Sequence, residues 1–435
     1  MKTMICDYPK DRAKLKERFA AHKKLFDRSM MTGIYAIFED IAEKGDAGVK
    51  EATRRFDDVA LDDIVLPGDY AAQCIASLAA PLREAIDQTI RNVMQVNLAL
   101  LPTSWELEIR PGTLIGESVS PLDSVGIWIP ARKGPLLSTS IMLVAAAKAA
   151  GVPRIVVGMP PMRDGLGDPG TVAAAKLAGA DEFVVGNGVA VIAAFCQGTA
   201  SIPEVDGVFG PGPGGIAAAM SAAVAYGKKT VVGLGPTESA IIADASADAS
   251  RTAYDLINEA EHGPDSVSLL VTTDRALAVE VERLLRQYIE EVEDDKRRRN
   301  LRQVFGDDGR GTIVVATDIE SACEFVNDFA PEHVMVVCNS EREAVVRERL
   351  RHAGEILLGE YTPFSAANYA IGITAVLPTN GFAKAFSGVT SKDMVKYSTI
   401  GKIDQNALKE LLPVIRQMGS YEQLPSHVKA VEIRV

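Results

Sequence analysis

The sequence predicts an α/β protein with two consecutive doubly wound, Rossmann-like units. Three observations lead there. From Ser124 onward, short apolar β-rich runs alternate with Ala-rich helical stretches, the pattern of right-handed βαβ crossovers in a largely parallel sheet. Small residues are plentiful, with 36 Gly, and aromatics make up only 6%, a composition that lets helices lie close on a sheet. At 435 residues the chain exceeds one compact core and suits two or three domains.

Taken in order, residues 1–27 read as a charged, peripheral helical arm, too soon charged to be a signal peptide. An amphipathic helix is expected over 33–56, with Ile34, Ile37, Ile41 and Val49 on one side, and a second helical stretch over 68–101. Pro102 and Pro111 then break the chain into an irregular, partly extended connection. The first alternating cycle predicts strands at 125–129, 155–157, 183–185, 208–209 and 230–232, with helices at 138–150, 171–178, 189–196 and 215–226. The second cycle predicts strands at 240–242, 267–272, 312–316, 334–337 and 356–358, with helices at 249–261, 275–303, 319–329 and 341–352. From Tyr361 the alternation stops in a Gly- and Ala-rich loop, two short helical stretches and a last strand-like segment, 430–435.

Charge and cysteine usage exclude several classes. A net charge of −12 argues against a nucleic-acid partner, whose affinity comes from clustered Lys and Arg. The one basic run, Lys296-Arg297-Arg298-Arg299, follows the acidic 290–295 stretch and reads as a solvated helix face. Cys6, Cys74, Cys196, Cys323 and Cys338 show no C-x-x-C spacing and read as buried thiols of a reducing compartment. No apolar run reaches transmembrane length, so a cytoplasmic chain with no membrane partner is expected.

Five histidines carry the chemistry. His22 and His352 sit among charges and read as surface residues. Glu259 and His262 stand three apart at a helix end, on one face, a spacing open to a divalent metal or to a plain helix-terminal His–Glu pair. Gly263-Pro264 leaves that pair at a strand-loop edge, where α/β folds place sites. Glu332-His333 enters a predicted strand, either as acid and base or as a capping pair. His427 lies in a polar part of the tail. The run Gly210-Pro211-Gly212-Pro213-Gly214-Gly215 is placed to cradle a phosphate or to make a tight turn.

Read together, these segments resemble the histidinol dehydrogenase family from about Ile34 to Arg434. The similarity rests on Val125-Gly126-Ile127 with Ile129-Pro130, Pro135-Leu136 with Ser138-Thr139, and Phe209-Gly210-Pro211-Gly212. It continues in Ala260-Glu261-His262-Gly263-Pro264-Asp265-Ser266, Ala330-Pro331-Glu332-His333 and Val376-Leu377-Pro378-Thr379.

The resemblance implies two incomplete Rossmann-like domains, 28–127 plus 237–376 for the metal and catalytic segments and 128–236 for the cofactor side. A tail, 377–435, is implied to exchange in an intertwined homodimer. It further implies oxidation of a small-molecule alcohol through the aldehyde to a carboxylate, by zinc and NAD. His333 would take the alcohol proton and Glu332 would help activate water. Metal positions fall on Glu259, His262, Asn368 and His427, the last from the neighbouring subunit, and substrate positions on Thr237 and Glu422.

Several positions depart from the family pattern. Glu259 and Asn368 stand where Gln and Asp are usual, a pair of changes that leaves the ligand charge at minus one. Thr374-Ala375 replaces an Asn-His pair whose imidazole contacts substrate. At the cofactor positions, Trp128 replaces Tyr, Ala190 aligns near a usual Gln, and Pro213 replaces Asn. Arg132-Lys133 follows the Pro130 turn and is open to three readings: a phosphate contact as in NADP, an anionic substrate, or an exposed loop. L-Histidinol oxidation is the best named reaction. The alternatives are another alcohol such as an anionic diol, a zinc- or metabolite-binding paralogue without cofactor use, and hydrolysis at zinc.

Overall fold

The computed structural model describes residues 4–20, 27–132, 134–212 and 214–435; His22, Lys133 and Pro213 lie outside them. In chain order its first elements are β1 (Ile5–Tyr8), α1 (Arg12–Arg18), α2 (Arg28–Lys44), α3 (Asp46–Asp57), α4 (Tyr70–Ala76) and α5 (Ala80–Leu100). Then come β2 (Trp105–Arg110), β3 (Thr113–Pro121), β4 (Ser124–Trp128), α6 (Leu137–Ala150), β5 (Arg154–Met159) and α7 (Pro169–Ala178). They are followed by β6 (Glu182–Val185), α8 (Gly188–Gln197), β7 (Gly207–Phe209), α9 (Gly214–Ala223), β8 (Glu238–Ala243) and α10 (Ala249–Ala260). Next are β9 (Val267–Thr272), α11 (Arg275–Glu291), α12 (Asp295–Val304), β10 (Thr312–Ala316), α13 (Ile319–Phe329) and β11 (His333–Val337). The last are α14 (Ser340–Arg349), β12 (Glu355–Leu358), α15 (Phe364–Tyr369), β13 (Val395–Ile403), α16 (Gln405–Tyr421) and α17 (Pro425–Glu432).

The chain divides into two units. Unit 1, Met1–Leu100 with Asp123–Met394, holds two all-parallel sheets, of six strands in the order β1-β10-β9-β8-β11-β12 and of four in the order β6-β5-β4-β7. Unit 2, Leu101–Leu122 with Val395–Val435, holds the antiparallel sheet β13-β3-β2 and the helices α16 and α17. The parallel strands are apolar because helices cover both faces: β8 and β9 are buried from end to end. Each Val, Ile or Leu buried there contributes about 1.5–3 kcal/mol. Helix starts follow a common rule. Asp27, Asp168, Asp248, Asp274, Asp294 and Asp318 each accept a backbone N–H of the first turn, worth about 1 kcal/mol apiece.

The structure corrects several expectations. Residues 5–8 form an edge strand paired with β10, not part of a helical arm, because Cys6 and Tyr8 alternate inward. The helix expected over 33–56 breaks at Gly45, whose φ of 56° no β-carbon residue adopts readily. Residues 105–121 form a hairpin, since Trp105, Leu107 and Ile109 alternate with charged residues. Residues 230–232 make no strand. The segment 430–435 begins inside α17, started by Pro425 at its first turn. The long helix over 275–303 divides at 292–294, where Asp294 caps α12. The basic run lies on α12, with Arg297 paired to Glu261 and Arg298 to Asp295. No described helix is long and apolar enough to cross a membrane.

Asp244 fixes the far end of β8. It is buried and accepts from Ser246 and from Asn339 N and Arg342 Nη1, both at 3.1 Å. Burial alone would raise its carboxyl, but the hydrogen bonds from Ser246, Asn339 and Arg342 hold it below the usual range. A depressed folded pKa contributes stability above the ordinary carboxylate pKa, and that stability is lost as pH falls through the folded value. Asp244→Asn is therefore expected to cost about 1–3 kcal/mol at pH 7. In urea titrations across pH, its gap from wild type narrows below about pH 4.

Candidate active site

The centre of the site is set by strand register. In the parallel pairing of β8, β11 and β12, His333 stands level with Ser239 on one side and Glu355 on the other. Glu238, His333 and Glu355 are the first residues of their strands. The site thus occupies the amino edge of the six-stranded sheet, opposite to the carboxyl edge that α/β folds favour. Ala330 brings the chain there: it ends α13 in the left-handed region at φ 58°, fully buried. That conformation costs about 1–2 kcal/mol, and strain of this kind gathers at functional positions.

His333 is buried and held at both ring nitrogens. Its Nδ1 lies 2.6 Å from Glu355 Oε1. Its Nε2 faces Glu332 Oε2 at 3.4 Å and Glu259 Oε2 at 4.0 Å. Glu259 comes from the last turn of α10 and is fully buried. Its Oε1 accepts from Asn258 Nδ2 at 2.8 Å and Asn368 Nδ2 at 3.1 Å. Its Oε2 has no hydrogen-bond partner, and the half-exposed His262 ring brings Nε2 to 3.6 Å from it. Ser365 on α15 orients Asn258 through a 2.9 Å bond. Among the described residues no three His, Cys, Asp or Glu side chains converge as metal ligands; Glu259 and His262 supply two, and the Asn368 amide adjoins them.

The electrostatics suit proton transfer. Burial pushes the Glu332 carboxyl up to about 7, with Glu259 and Glu238 adding and His333 opposing. Burial would lower His333, but Glu332, Glu355 and Glu259 hold it well above the ordinary imidazole value. Asp255, one turn before Glu259, is raised to about 6 by burial and by Glu259. Three buried carboxyl groups, Glu259, Glu332 and Glu355, face one imidazole, and buried Glu238 adjoins them through Glu332. Such an excess of buried negative charge is costly unless a cation joins it.

Of the residues singled out in the sequence, the structure gathers Glu259, His262, Asn368, Glu332 and His333. Thr237 adjoins them through Glu238, whose N–H donates to Glu332 Oε2. Glu422 and His427 belong to unit 2, exposed at the end of α16 and on α17. Sequence reasoning missed Glu238, Asn258 and Glu355; an acidic residue heading an apolar run is the only signal that Glu238 and Glu355 leave.

Trp128 and Ala190, expected from the sequence to face a cofactor, lie at the carboxyl edge of the other sheet. The order β6-β5-β4-β7 makes β4 and β7 the point where the chain order reverses, the usual dinucleotide crevice. Trp128 ends β4, buried, with its indole N–H unpartnered. A β-carbon at Gly188, the first residue of α8, would meet the indole at 2.6 Å. Ala190 is fully buried in the first turn of α8. The Arg132 guanidinium is already engaged, 2.9 Å from Asp57.

The family model described as Histidinol dehydrogenase matches residues 21–435. The chain belongs to the histidinol dehydrogenase family. Its similarity to the histidinol dehydrogenase of Synechocystis is 35% identity, over 92% of this chain and 91% of that protein. A histidinol dehydrogenase homolog from Colwellia psychrerythraea is 34% identical over 91% of this chain and 88% of its own. The crystal structure of the Elizabethkingia anophelis histidinol dehydrogenase superposes with a TM-score of 0.91 at 28% identity, covering 99% of this chain and 97% of that one. Membership makes the chain an oxidoreductase acting on a CH–OH group with NAD.

The family segment Phe209-Gly210-Pro211-Gly212 has a local physical reason. Gly210 has φ 152°, and a β-carbon there would meet the Trp128 carbonyl oxygen at 2.2 Å. Gly210→Ala is expected to lower stability by about 2–4 kcal/mol, read as a fall in Tm, because backbone rather than a flexible side chain must yield.

Proposed function

We propose that this chain oxidises a small polar primary alcohol through the aldehyde to the carboxylate, with L-histidinol to L-histidine as the named reaction. The overall change is R–CH2OH + 2 NAD+ + H2O → R–COO− + 2 NADH + 3 H+. The observation that carries the reading is the convergence of His333 Nε2, Glu332 Oε2 and Glu259 Oε2 within 4.0 Å of the imidazole. With a bound cation offsetting the carboxylates that otherwise keep the ring protonated, neutral His333 would accept the alcohol proton at Nε2. Glu332, poised near 7, then takes a proton from the water that attacks the aldehyde.

Zinc fits the residues present. The unpartnered Glu259 Oε2 faces His262 Nε2, and the surrounding carboxylates call for a cation. Glu259, His262 and Asn368 would hold it, with His427 of a second copy completing the set in an intertwined homodimer. When bound, it holds and polarises the substrate oxygen. For NAD, the β4–β7 edge offers the point where the chain order of the sheet reverses and the unpartnered Trp128 N–H; when bound, NAD would supply the hydride acceptor for each of the two oxidations. NAD is favoured over NADP because Asp57 already occupies Arg132. A cytoplasmic location follows from this metabolic role.

The Thr374-Ala375 substitution is absorbed without orphaned groups. Thr374 Oγ1 accepts from Asn97 Nδ2 at 3.1 Å, and Asn97 also binds Val93 and Ser391. This neutral network in place of an imidazole supports a second reading, a related alcohol as substrate. Zinc-loaded protein given L-histidinol with NAD or NADP decides: turnover with two NADH per alcohol supports histidinol, and none moves the reading to another alcohol.

The Glu259–Asn368 hydrogen bond also explains why two ligand changes occur together. Glu259→Gln alone removes the charge that the ligand set keeps, and zinc affinity measured by competition with a chelator is expected to fall at least tenfold, about 1.4 kcal/mol. Adding Asn368→Asp reverses donor and acceptor across the same bond and restores affinity. A double variant that stays metal-free contradicts the compensation.

A further inference from the structure

We propose that Glu355 is the positioning residue of a histidine–carboxylate dyad: it accepts the Nδ1–H of His333, fixing the ring and leaving Nε2 as the base of the dehydrogenase reaction. The inference rests on the reading of His333 as that base and adds a residue to it. Glu355 Oε1 lies 2.6 Å from His333 Nδ1. A carboxylate so placed makes the N–H the stable form at Nδ1, which directs the lone pair, or the accepted proton, to Nε2.

Four features build this pair into the fold rather than leaving it to side-chain mobility. The two residues are register partners on adjacent parallel strands, so their side chains leave one face of the sheet together. The heads of the strands are tied by Glu355 N donating to Glu332 O at 3.0 Å and Gly354 N donating to Pro331 O at 3.1 Å. Gly354 permits that approach, since a β-carbon would meet the Glu332 carbonyl at 2.5 Å and Leu377 Cβ at 2.9 Å. Phe364 stands edge-on to the imidazole with ring centres 5.9 Å apart, closing a further side. With Nδ1 occupied, Nε2 points toward Glu332 and Glu259, where the other polar groups of the site meet.

A structural role and a positioning role separate cleanly here. Glu355→Leu keeps the side-chain volume and removes one of four neighbouring buried carboxylates, so the fold is expected to hold, with a Tm at or above wild type. Its kcat on the turned-over alcohol is expected to fall about 10²–10⁴-fold, with KM within threefold. In zinc-loaded, 15N-histidine-labelled wild type, a far-downfield proton is expected on His333 Nδ1, and Glu355→Leu abolishes it. An unprotonated Nδ1 in wild type, or a Glu355→Leu kcat within threefold of wild type, overturns the proposal. Should the variant not fold, the wild-type spectrum alone decides. Absence of any alcohol turnover by wild type would instead overturn the dehydrogenase reading, with the spectrum still deciding the dyad.

Discussion

Parallel pairing of β8, β11 and β12 is the constraint on which the rest of the molecule's chemistry depends. Because register fixes which side chains share a face, it sets Glu238, His333 and Glu355 at the same edge. The last turn of α10 delivers Glu259 and His262 to that edge, since a helix that precedes a strand ends where the strand begins. A one-residue slip in β12 would turn Glu355 to the opposite face and leave Nδ1 of His333 without its acceptor. Such a slip would also carry the buried Leu357 out of the core in exchange for the exposed Ile356, so the core that stabilises the fold also holds the site in place.

A continuous run of hydrogen bonds joins this edge to the carboxyl edge of the four-stranded sheet. Gly212 N donates to Leu234 O at 3.1 Å, and the neighbouring Gly233 O and Gly235 N both bond to Thr379. Asn380 N then donates to Glu238, and Glu238 N to Glu332 Oε2. This explains why residues 230–232 form no strand: the backbone just beyond them is committed to Thr379 and to the glycine turn. It also gives a physical meaning to two separated family segments, around Gly212 and Thr379, which meet on the same connection. The glycine turn at the cofactor side and the carboxylates around His333 are thereby parts of one framework within unit 1.

Much of the fold was legible because its strands are buried on both faces. The sequence reading and the structure agree to the residue on β9 and β10, where apolar runs are continuous and bounded by turns, and on α13, an amphipathic run capped by Asp318. Strand β1 and the antiparallel strands escaped: β1 sets Asp7 between the inward Cys6 and Tyr8, and β2 alternates charged residues with apolar ones that stay exposed. Helix breaks at Gly45 and Asp294 escaped too, because the apolar periodicity continues across both. In the site, family motifs located Glu332, His333, Glu259 and His262. Glu355 and Glu238 were invisible because their roles arise from pairing between strands distant in sequence, which no local pattern records.

The central claim is that the buried carboxylates around His333 are completed by a divalent cation held between Glu259 and His262. Anomalous scattering at the zinc edge, from crystals of the protein grown with zinc, tests it directly. The account predicts a peak about 2.0–2.2 Å from both Glu259 Oε2 and His262 Nε2. A peak elsewhere, or none at saturating zinc, would contradict it.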